Sequence, residues 1–393
     1  MFYSFLQKAY REANADDKET VRPSERYEGI DSFRIFGIYG VVLIHFYHDC
    51  FCGPNASIEH IIRLRDCTFP FIILTSFFLI ARSAWRKPER SFRHFALGRF
   101  KRLEIPLLIW TVIYWGIWNV GHPLVYGYAI PRPPATLISG YAHLWFLQFI
   151  FLGSIVLYPF VGLRALFKRH RWQMALCCLA IVIAHVLLLR PLVVQLQSTA
   201  WMSRADFSFT IFVANINLYL PYVPTAIVIA MWADKITALY KHRTIRLLSL
   251  LSVAVTLLIH FAFGGTELTR FFYSLAVFLA VLQPWPASVV NLLRPLAIYS
   301  YPVYILHYLV SRMLVAGFHR TQVEFTPGTL LAGSVIVFGL SLLCAVAIRR
   351  VFPFDWLLPL TPIPYRPGSR IGVTPRVQFA RTRSQNRLPA RSL

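Results

Sequence analysis

Charged residues are scarce in this sequence: Asp, Glu, Lys and Arg make up only 15% of its 393 residues, against about a quarter in soluble domains. Hydrophobic residues account for 56% of the chain, and the mean hydropathy is +0.54. A soluble protein of this length would need far more charge to cover its surface. The scarcity of charge therefore excludes a soluble globular domain and favours a membrane protein.

Apolar runs of roughly spanning length recur along the chain, the first starting near Phe33 and the last ending near Phe352. A membrane-spanning helix needs about 20 mainly apolar residues. We count about ten such runs, with nine or eleven as open alternatives because three of them are short or have polar ends. The sequence thus predicts an all-α polytopic membrane protein: a cytoplasmic lead (residues 1–32), a transmembrane bundle of about ten helices (33–352) and a basic tail (353–393).

Acidic residues are also few, 17 against 40 Lys and Arg, which gives a net charge of +23. With the N-terminus inside, the inner connections carry 30 of the basic residues and the outer connections carry 8. This asymmetry is the positive-inside pattern and predicts that both termini are cytoplasmic. It also makes nucleic acid an unsuitable partner. We interpret the Pro- and Arg-rich tail as a disordered arm that touches anionic membrane lipid.

Cysteines number only six, and three of them, Cys177, Cys178 and Cys344, lie inside apolar runs, where we interpret them as small hydrophobic residues. His45, His48, Cys50 and Cys52 lie close in sequence, but their spacing matches no standard zinc pattern, so we predict no metal site. Cys52 and Cys67 fall at the two ends of the first outer loop, where an oxidising compartment permits a disulfide. Cys50 is an alternative partner for Cys67.

Ionisable residues stand out in the first apolar run, SFRIFGIYGVVLIHFYH (residues 32–48). Arg34 and His45 are eleven positions apart, which places them on nearly the same helix face, separated by about 16 Å along the axis. Ionisable groups at membrane depth usually face a protein interior or a watery cavity and mark a functional site. Arg34 alone could be a snorkelling anchor, and His45 could be a neutral packing residue held by a neighbouring helix.

The arrangement of Arg34 and His45 at the start of the first span resembles the integral-membrane acyltransferase-3 family. The segment GRFKRLEIPLLIW is similar to the R-x-x-R segment of that family, here Arg99 and Arg102. Further stretches that resemble the family are HLWFL, with His143 and Trp145, and YSYPVYILHY, with Tyr304 and His307 three positions apart. One departure is in the second span, where the family commonly has Phe-Phe-x-x-Ser-Gly and this chain has Phe77 after Ser76, so helix packing should differ there.

The resemblance implies an enzyme that moves an acyl group, foremost acetyl, from acyl-CoA to a sugar hydroxyl of an exopolysaccharide, lipopolysaccharide or related glycan. It implies a multi-pass protein of the inner cell membrane, with acyl-CoA as donor substrate, a glycan or lipid-linked sugar as acceptor and no tightly bound cofactor. His45 would be the catalytic base, with Arg34 assigned to the same catalytic pair.

The remaining motif residues receive binding roles under the same resemblance. Arg99 and Arg102 would bind the anionic donor, although the positive-inside rule alone also explains basic residues there. His307 and Tyr304 would serve the substrate by holding the acceptor or by orienting His45. His143 and Trp145 would meet the acceptor, although an interfacial aromatic belt also explains that stretch.

Two other classes compete with an acyltransferase. A small-molecule or glycan transporter would also have about ten spans and polar residues near the membrane midplane, but the two halves of the sequence show no internal repeat. A non-catalytic assembly subunit would leave Arg34 and His45 unexplained. Hydrolysis of acyl-CoA by the purified protein separates an enzyme from both.

Overall fold

The computed structural model of the chain describes residues 27–50, 56–86, 91–121, 142–162, 171–197, 207–351 and 357–359. Throughout these ranges the regular structure is helical and contains no strand, which confirms the predicted all-α class. Most of the predicted lead and nearly all of the predicted tail lie outside the described residues.

Fifteen α-helices, joined in places by single tighter or wider turns, make up this part of the chain. They are α1 (Glu28–Cys50), α2 (Ala56–Leu64), α3 (Thr68–Arg86), α4 (Phe92–Arg99), α5 (Ile105–Gly116), α6 (Trp145–Gly162), α7 (Arg171–Ala184), α8 (Arg190–Gln197), α9 (Phe207–Tyr219), α10 (Tyr222–Leu239), α11 (Arg243–Ala262), α12 (Glu267–Val281), α13 (Ala287–Ala297), α14 (Ser300–Arg320) and α15 (Pro327–Val351). Three π-helical turns lie at Phe100–Glu104, Ile117–Gly121 and His185–Leu189, and a 3₁₀ turn at Ala142–Leu144 leads into α6.

Helix ends follow local sequence signals. Ser91 caps α4 by accepting a hydrogen bond from the backbone of His94, and Thr266 caps α12 by accepting one from Thr269, as expected for hydroxyl residues at N-caps. Between α11 and α12 the chain turns through Gly264, whose φ of 67° a residue with a side chain would adopt only under strain.

Helix α1 is central to the bundle: it packs against α3, α12, α13, α14 and α15. At its start, Phe33 contacts Trp285, which follows α12, with ring centroids 4.4 Å apart. At its other end, the hydroxyl of Ser311 on α14 donates to Asp49 at 2.8 Å. We call these two ends of the bundle the Glu28 end and the Cys50 end.

Close packing around α1 and α3 depends on two glycines in facing helices. A Cβ placed on Gly333 of α15 would lie 2.3 Å from the ring of Phe46, and one on Gly153 of α6 would lie 2.5 Å from the ring of Phe77. Both rings are fully buried. The glycine that the family pattern places after Ser76 is thus replaced by a large ring, and Gly153 on the facing helix provides the space for it. The difference in local packing expected from the sequence is therefore an exchange, with the large side chain in α3 and the glycine in α6.

Six helical segments are long and apolar enough to cross a membrane, or seven if the bent pair α13 and α14, inclined at 54°, forms one span. Helices α7 and α11 turn large apolar side chains outward, including Leu176 (63% exposed) and Leu258 (68% exposed), as lipid-facing helices do. The protein is therefore multi-pass. The predicted ten spans and cytoplasmic termini stay predictions.

The predicted disulfide is not formed. Cys67 is a buried free thiol, and so is its alternative partner Cys50. The Sγ of Cys67 contacts the backbone carbonyl of Leu64 at 3.9 Å within its own turn. Cys52 lies outside the described residues.

Candidate active site

Three histidines from separate segments meet inside the bundle. His45 comes from α1, His143 from the 3₁₀ turn before α6, and His307 from α14. Their ring centroids are 5.2 Å apart for His45 and His307, 5.9 Å for His45 and His143, and 4.9 Å for His143 and His307. The structure thus brings two predicted site residues to the predicted reactive histidine. We call these three residues the histidine cluster.

The tautomer of His307 follows from its hydrogen bond. Its Nδ1 lies 2.6 Å from the backbone carbonyl oxygen of Tyr304, one helical turn earlier. A carbonyl oxygen can only accept, so Nδ1 carries the proton and the neutral ring has its lone pair on Nε2. That Nε2 is buried and has no hydrogen-bond partner among the described residues. His307 therefore presents an unused acceptor inside the cluster.

His143 has the opposite tautomer for the same reason. Its Nε2 lies 3.2 Å from the carbonyl oxygen of Ile305, which places the proton on Nε2 and the lone pair on Nδ1. This Nδ1 is also buried and without a partner in the described ranges. The hydroxyl of Tyr304 in turn donates to the backbone carbonyl of His143. Tyr304 thus fixes the turn that carries His143 against α14.

The histidines differ in accessibility. His143 is 1% exposed and His307 is fully buried, whereas His45 keeps a partly exposed face. Of the three histidines, His45 is therefore the most accessible to a substrate. This burial favours a positioning role for His143, Tyr304 and His307 over direct substrate contact.

Two tyrosines that the sequence analysis did not identify form the walls of the cluster. Tyr308 stacks on His143 at 5.1 Å and meets His45 edge-on at 5.9 Å. Tyr114 on α5 lies edge-on to His143 at 5.3 Å, and its hydroxyl donates to the carbonyl of Ile305 at 2.7 Å. Tyr308 follows His307 directly in sequence and could have been found as its neighbour. Tyr114 has no motif signal.

A polar contact between α1 and α14 closes the cluster toward the Cys50 end. The Asp49 side chain, only 4% exposed, forms an ion pair with Arg312 at 3.0 Å and accepts from Ser311 at 2.8 Å. Arg312 also donates to the hydroxyl of Tyr308 at 2.8 Å and lies over the ring of Trp118. This network ties Tyr308, and through it the wall beside His45, to the end of α1.

The predicted donor-binding arginines lie toward the Glu28 end. Arg34 is paired with Asp31, one turn earlier, at 3.1 Å, so an incoming phosphate would compete with that carboxylate. Arg99 lies over the ring of Phe95 at 5.3 Å. Arg102 is exposed and belongs to the π-helical turn Phe100–Glu104, a kind of helix irregularity that is frequent at functional sites.

Two helices give the depth of the histidine cluster below these arginines. Along α1, Arg34 and His45 are separated by about 16 Å. On α14, the Tyr301 hydroxyl donates to the backbone carbonyl of Arg102 at 3.5 Å, and His307 lies six residues further along, or about 9 Å. The basic residues and the histidines are therefore separated by about 9–16 Å along the helix axes.

Trp145 lies apart from the histidine cluster. Its ring stacks on Tyr219 with centroids 6.0 Å apart and packs against Phe69 at 5.1 Å. It is only 6% exposed. The structure therefore places Trp145 in a packed aromatic group, although it stands only two residues from His143.

In the part of the chain that the structure describes, no group of three or more His, Cys, Asp or Glu side chains is arranged to hold a metal ion. The chemistry available at the histidine cluster is accordingly that of imidazole: proton acceptance at the partly exposed His45, with two buried rings whose lone pairs are unused.

Comparison with known proteins identifies a family. A family model described as an acyltransferase domain matches residues 27–350, a range that contains all three histidines and all three arginines. Comparisons with curated proteins and with solved structures gave no match.

Proposed function

The chain belongs to the acyltransferase-3 family, and we propose that it transfers an acyl group, foremost acetyl, from acyl-CoA to a sugar hydroxyl. The acceptor would be an exopolysaccharide, a lipopolysaccharide or a related glycan, free or lipid-linked, at the inner cell membrane. Membership of the family makes the protein a membrane acyltransferase. The identity of the donor, the identity of the acceptor and the location in the inner membrane are parts of the proposal.

The observation that carries the proposal is the histidine cluster itself. His45 has an accessible ring, and the buried His307 behind it presents a lone pair on Nε2 that has no partner in the described structure. An unsatisfied buried acceptor is costly in a purely structural core. In an active site it has a use, because it can accept the N–H of a histidine that becomes charged during proton transfer.

The donor would bind at the Glu28 end. Arginine is suited to phosphate because its planar fork of donors pairs with phosphate oxygens and its charge is permanent. Arg99 and Arg102 would hold the phosphates of CoA, with Arg34 below His45 on the same helix face. The separation of about 16 Å between Arg34 and His45 is comparable to the reach of a pantetheine arm, so the thioester would arrive at His45.

The reaction then needs one proton acceptor. His45 takes the proton of the acceptor hydroxyl as its oxygen attacks the thioester carbonyl. The new C–O bond forms and the C–S bond breaks. The leaving CoA thiolate receives the proton from the imidazolium of His45, which restores the neutral base.

His307 would act as a positioning residue in this mechanism. With its Nδ1–H held by the carbonyl of Tyr304, its Nε2 lone pair is free to accept an N–H from His45. That contact would orient the ring of His45 and stabilise its positive charge in the transition state. His143 lies close enough to both rings to contribute in the same way.

The test of the function is release of the CoA thiol from acetyl-CoA by the purified protein in lipid nanodiscs, with and without membrane glycan extracts. An acyltransferase releases thiol at a rate that depends on His45 and rises with the acceptor. A transporter, the competing function, would release none above the background of empty nanodiscs. Mass spectrometry of surface glycans from cells with and without the gene would then identify the acyl group and the acceptor.

A further inference from the structure

A second group of polar side chains lies at the Cys50 end, outside the histidine cluster. Arg65 and Asp66 come from the turn between α2 and α3, His260 from the end of α11, and Thr269 and Arg270 from the start of α12. We call these five residues the Asp66 cluster. None of them has a role in the mechanism above.

The centre of this cluster is a single carboxylate. His260, fully buried, lies with Nε2 at 3.1 Å from Oδ2 of Asp66 and with Nδ1 at 2.9 Å from the hydroxyl of Thr269. Arg65 approaches Oδ1 of Asp66 at 3.5 Å, and Arg270 approaches Oδ2 at 3.7 Å. Two guanidinium groups therefore share one carboxylate, and both distances are long for charge-assisted hydrogen bonds.

One donor of each arginine is buried without a hydrogen bond. The Nε atoms of Arg65 and Arg270 are both buried and have no hydrogen-bond partner in the described ranges. Each guanidinium carries five N–H donors, and the only ion pair that either forms there is the long contact with Asp66. The neighbouring Arg63 and Arg190 differ, because each has its own carboxylate, Glu59 and Glu267 respectively.

The charges of the cluster do not balance. Two arginines against Asp66 leave at least one positive charge in excess at a site where their side chains are only 17% and 24% exposed. An uncompensated charge in such a place is costly unless a counter-charge reaches it. The remaining exposure is enough for a ligand to approach, so an anion can both fill the free donors and neutralise the excess charge.

The ligand chemistry follows from the donor arrangement. Two guanidinium forks from different segments suit a group with three or more oxygens, such as phosphate, better than a carboxylate with two. The cluster also lies against the helix that carries His45, since Thr68, two residues after Asp66, packs against Gly40 of α1. A phosphate bound here would belong to the acceptor side, at the opposite end of the bundle from the arginines assigned to CoA.

We propose that Arg65 and Arg270 form a binding site for a phosphate group of the acceptor, so that the enzyme acts on a phosphorylated or phosphate-linked sugar. This inference rests on the proposed function for the identity of the ligand. Asp66 and His260 would hold the two arginines in place for the phosphate, which would fix the sugar hydroxyl relative to His45.

The test measures binding without any acyl donor, which keeps it independent of the transfer reaction. The wild-type protein in neutral phosphatidylcholine nanodiscs is titrated with glucose 1-phosphate and with glucose, and its thermal unfolding midpoint is followed. A ligand that binds only the folded state raises that midpoint in a saturable way. We expect the sugar phosphate to do so and glucose to have no effect.

Variants locate the site. Arg65→Gln and Arg270→Gln should each weaken glucose 1-phosphate binding at least about tenfold, the effect of losing a charge-assisted bond. Arg63→Gln is the matched control. It removes the same charge two residues before Arg65, from a side chain that is already paired with Glu59, and this variant should bind like wild type. If the Gln variants fold poorly, Arg65→Lys keeps the charge but loses the fork, and it should fold and still bind more weakly.

Two outcomes would overturn the inference. Equal binding by wild type and by the Arg65 and Arg270 variants would mean that the phosphate binds elsewhere. Stabilisation by phosphatidylglycerol in the nanodisc, with none by glucose 1-phosphate, would make the cluster a contact for membrane lipid. In either case, the proposed acyl transfer would stand if the protein still releases the CoA thiol in a way that depends on His45. If the protein binds phosphate at this site but releases no thiol, only the acyltransferase mechanism is rejected.

Discussion

His307 offers the sharpest separation of a catalytic from a structural role, because its two ring nitrogens have different environments. Nδ1 donates to the carbonyl of Tyr304 at 2.6 Å, while Nε2 is buried without a partner in the described structure. An Asn side chain places its amide near the position of Nδ1, and a Gln side chain reaches the position of Nε2. His307→Asn can thus keep the bond to Tyr304 and lose the Nε2 acceptor, and His307→Gln does the reverse.

The expected magnitudes differ for stability and for rate. Replacing the ring by Asn leaves a cavity of a few tens of Å³, which at roughly 24 cal/mol per Å³ lowers the free energy of unfolding by about 1 kcal/mol. A hydrogen bond to a charged group contributes about 1.5–3 kcal/mol, and in the proposed mechanism His45 becomes charged as it takes the proton of the acceptor hydroxyl. Loss of that bond should therefore reduce kcat by about 10- to 150-fold.

The assay is CoA thiol release from acetyl-CoA by purified variants, with kcat and KM measured separately beside thermal unfolding. We expect His307→Asn to lower kcat at unchanged KM for acetyl-CoA, because the phosphates of CoA would bind at the Glu28 end, at the far end of the pantetheine arm from His307. His307→Gln should retain more activity, since its amide oxygen can accept from His45. Normal kcat in His307→Asn, or equal kcat losses in both variants, would refute the argument from the Nε2 lone pair.

Other predictions concern packing and donor binding. Gly153→Ala should lower the unfolding midpoint, because its Cβ would lie 2.5 Å from the buried ring of Phe77. Adding Phe77→Leu in the same chain should restore part of the loss. An unchanged midpoint in the single variant would show that α3 and α6 can separate freely. Arg102→Ala should weaken acetyl-CoA binding by about 1.5–3 kcal/mol, or 10- to 150-fold, with Arg102→Lys recovering only part of it. The control is Lys101→Ala, which removes the preceding charge, and equal losses in both would indicate general electrostatic attraction instead of a specific phosphate contact.

The apolar runs and the order of motifs along the sequence were enough to predict the helical membrane class and the family. These rest on hydropathy and on residue spacing, which are local properties of the chain. Burial of His143 could not be predicted in the same way, because it depends on how α5 and α14 close around a turn that carries little pattern of its own. Trp145 shows the limit most clearly: it adjoins His143 in sequence, yet it points into the aromatic group around Tyr219.

Contacts between distant segments were equally out of reach of the sequence. The Asp66 cluster combines the turn after α2 with the end of α11 and the start of α12, about 200 positions later. Nothing in the sequence of either segment indicates that the two are in contact. No motif surrounds His260 in the sequence, whereas the structure shows it hydrogen-bonded to a carboxylate that two arginines share. The Phe77 and Gly153 pair is another case, since a substitution in one helix is accommodated by a residue in a second.

The central claim, that His45 is the base for acyl transfer, is tested most directly by His45→Ala in purified protein reconstituted in nanodiscs. Acetyl-CoA binding and the release of its CoA thiol in a single turnover are measured on the same preparation, beside wild type. We predict that the variant folds and binds acetyl-CoA like wild type but releases no thiol above the background of empty nanodiscs, with or without glycan acceptor. Turnover of His45→Ala at the wild-type rate would contradict this account and leave His45 as a packing residue.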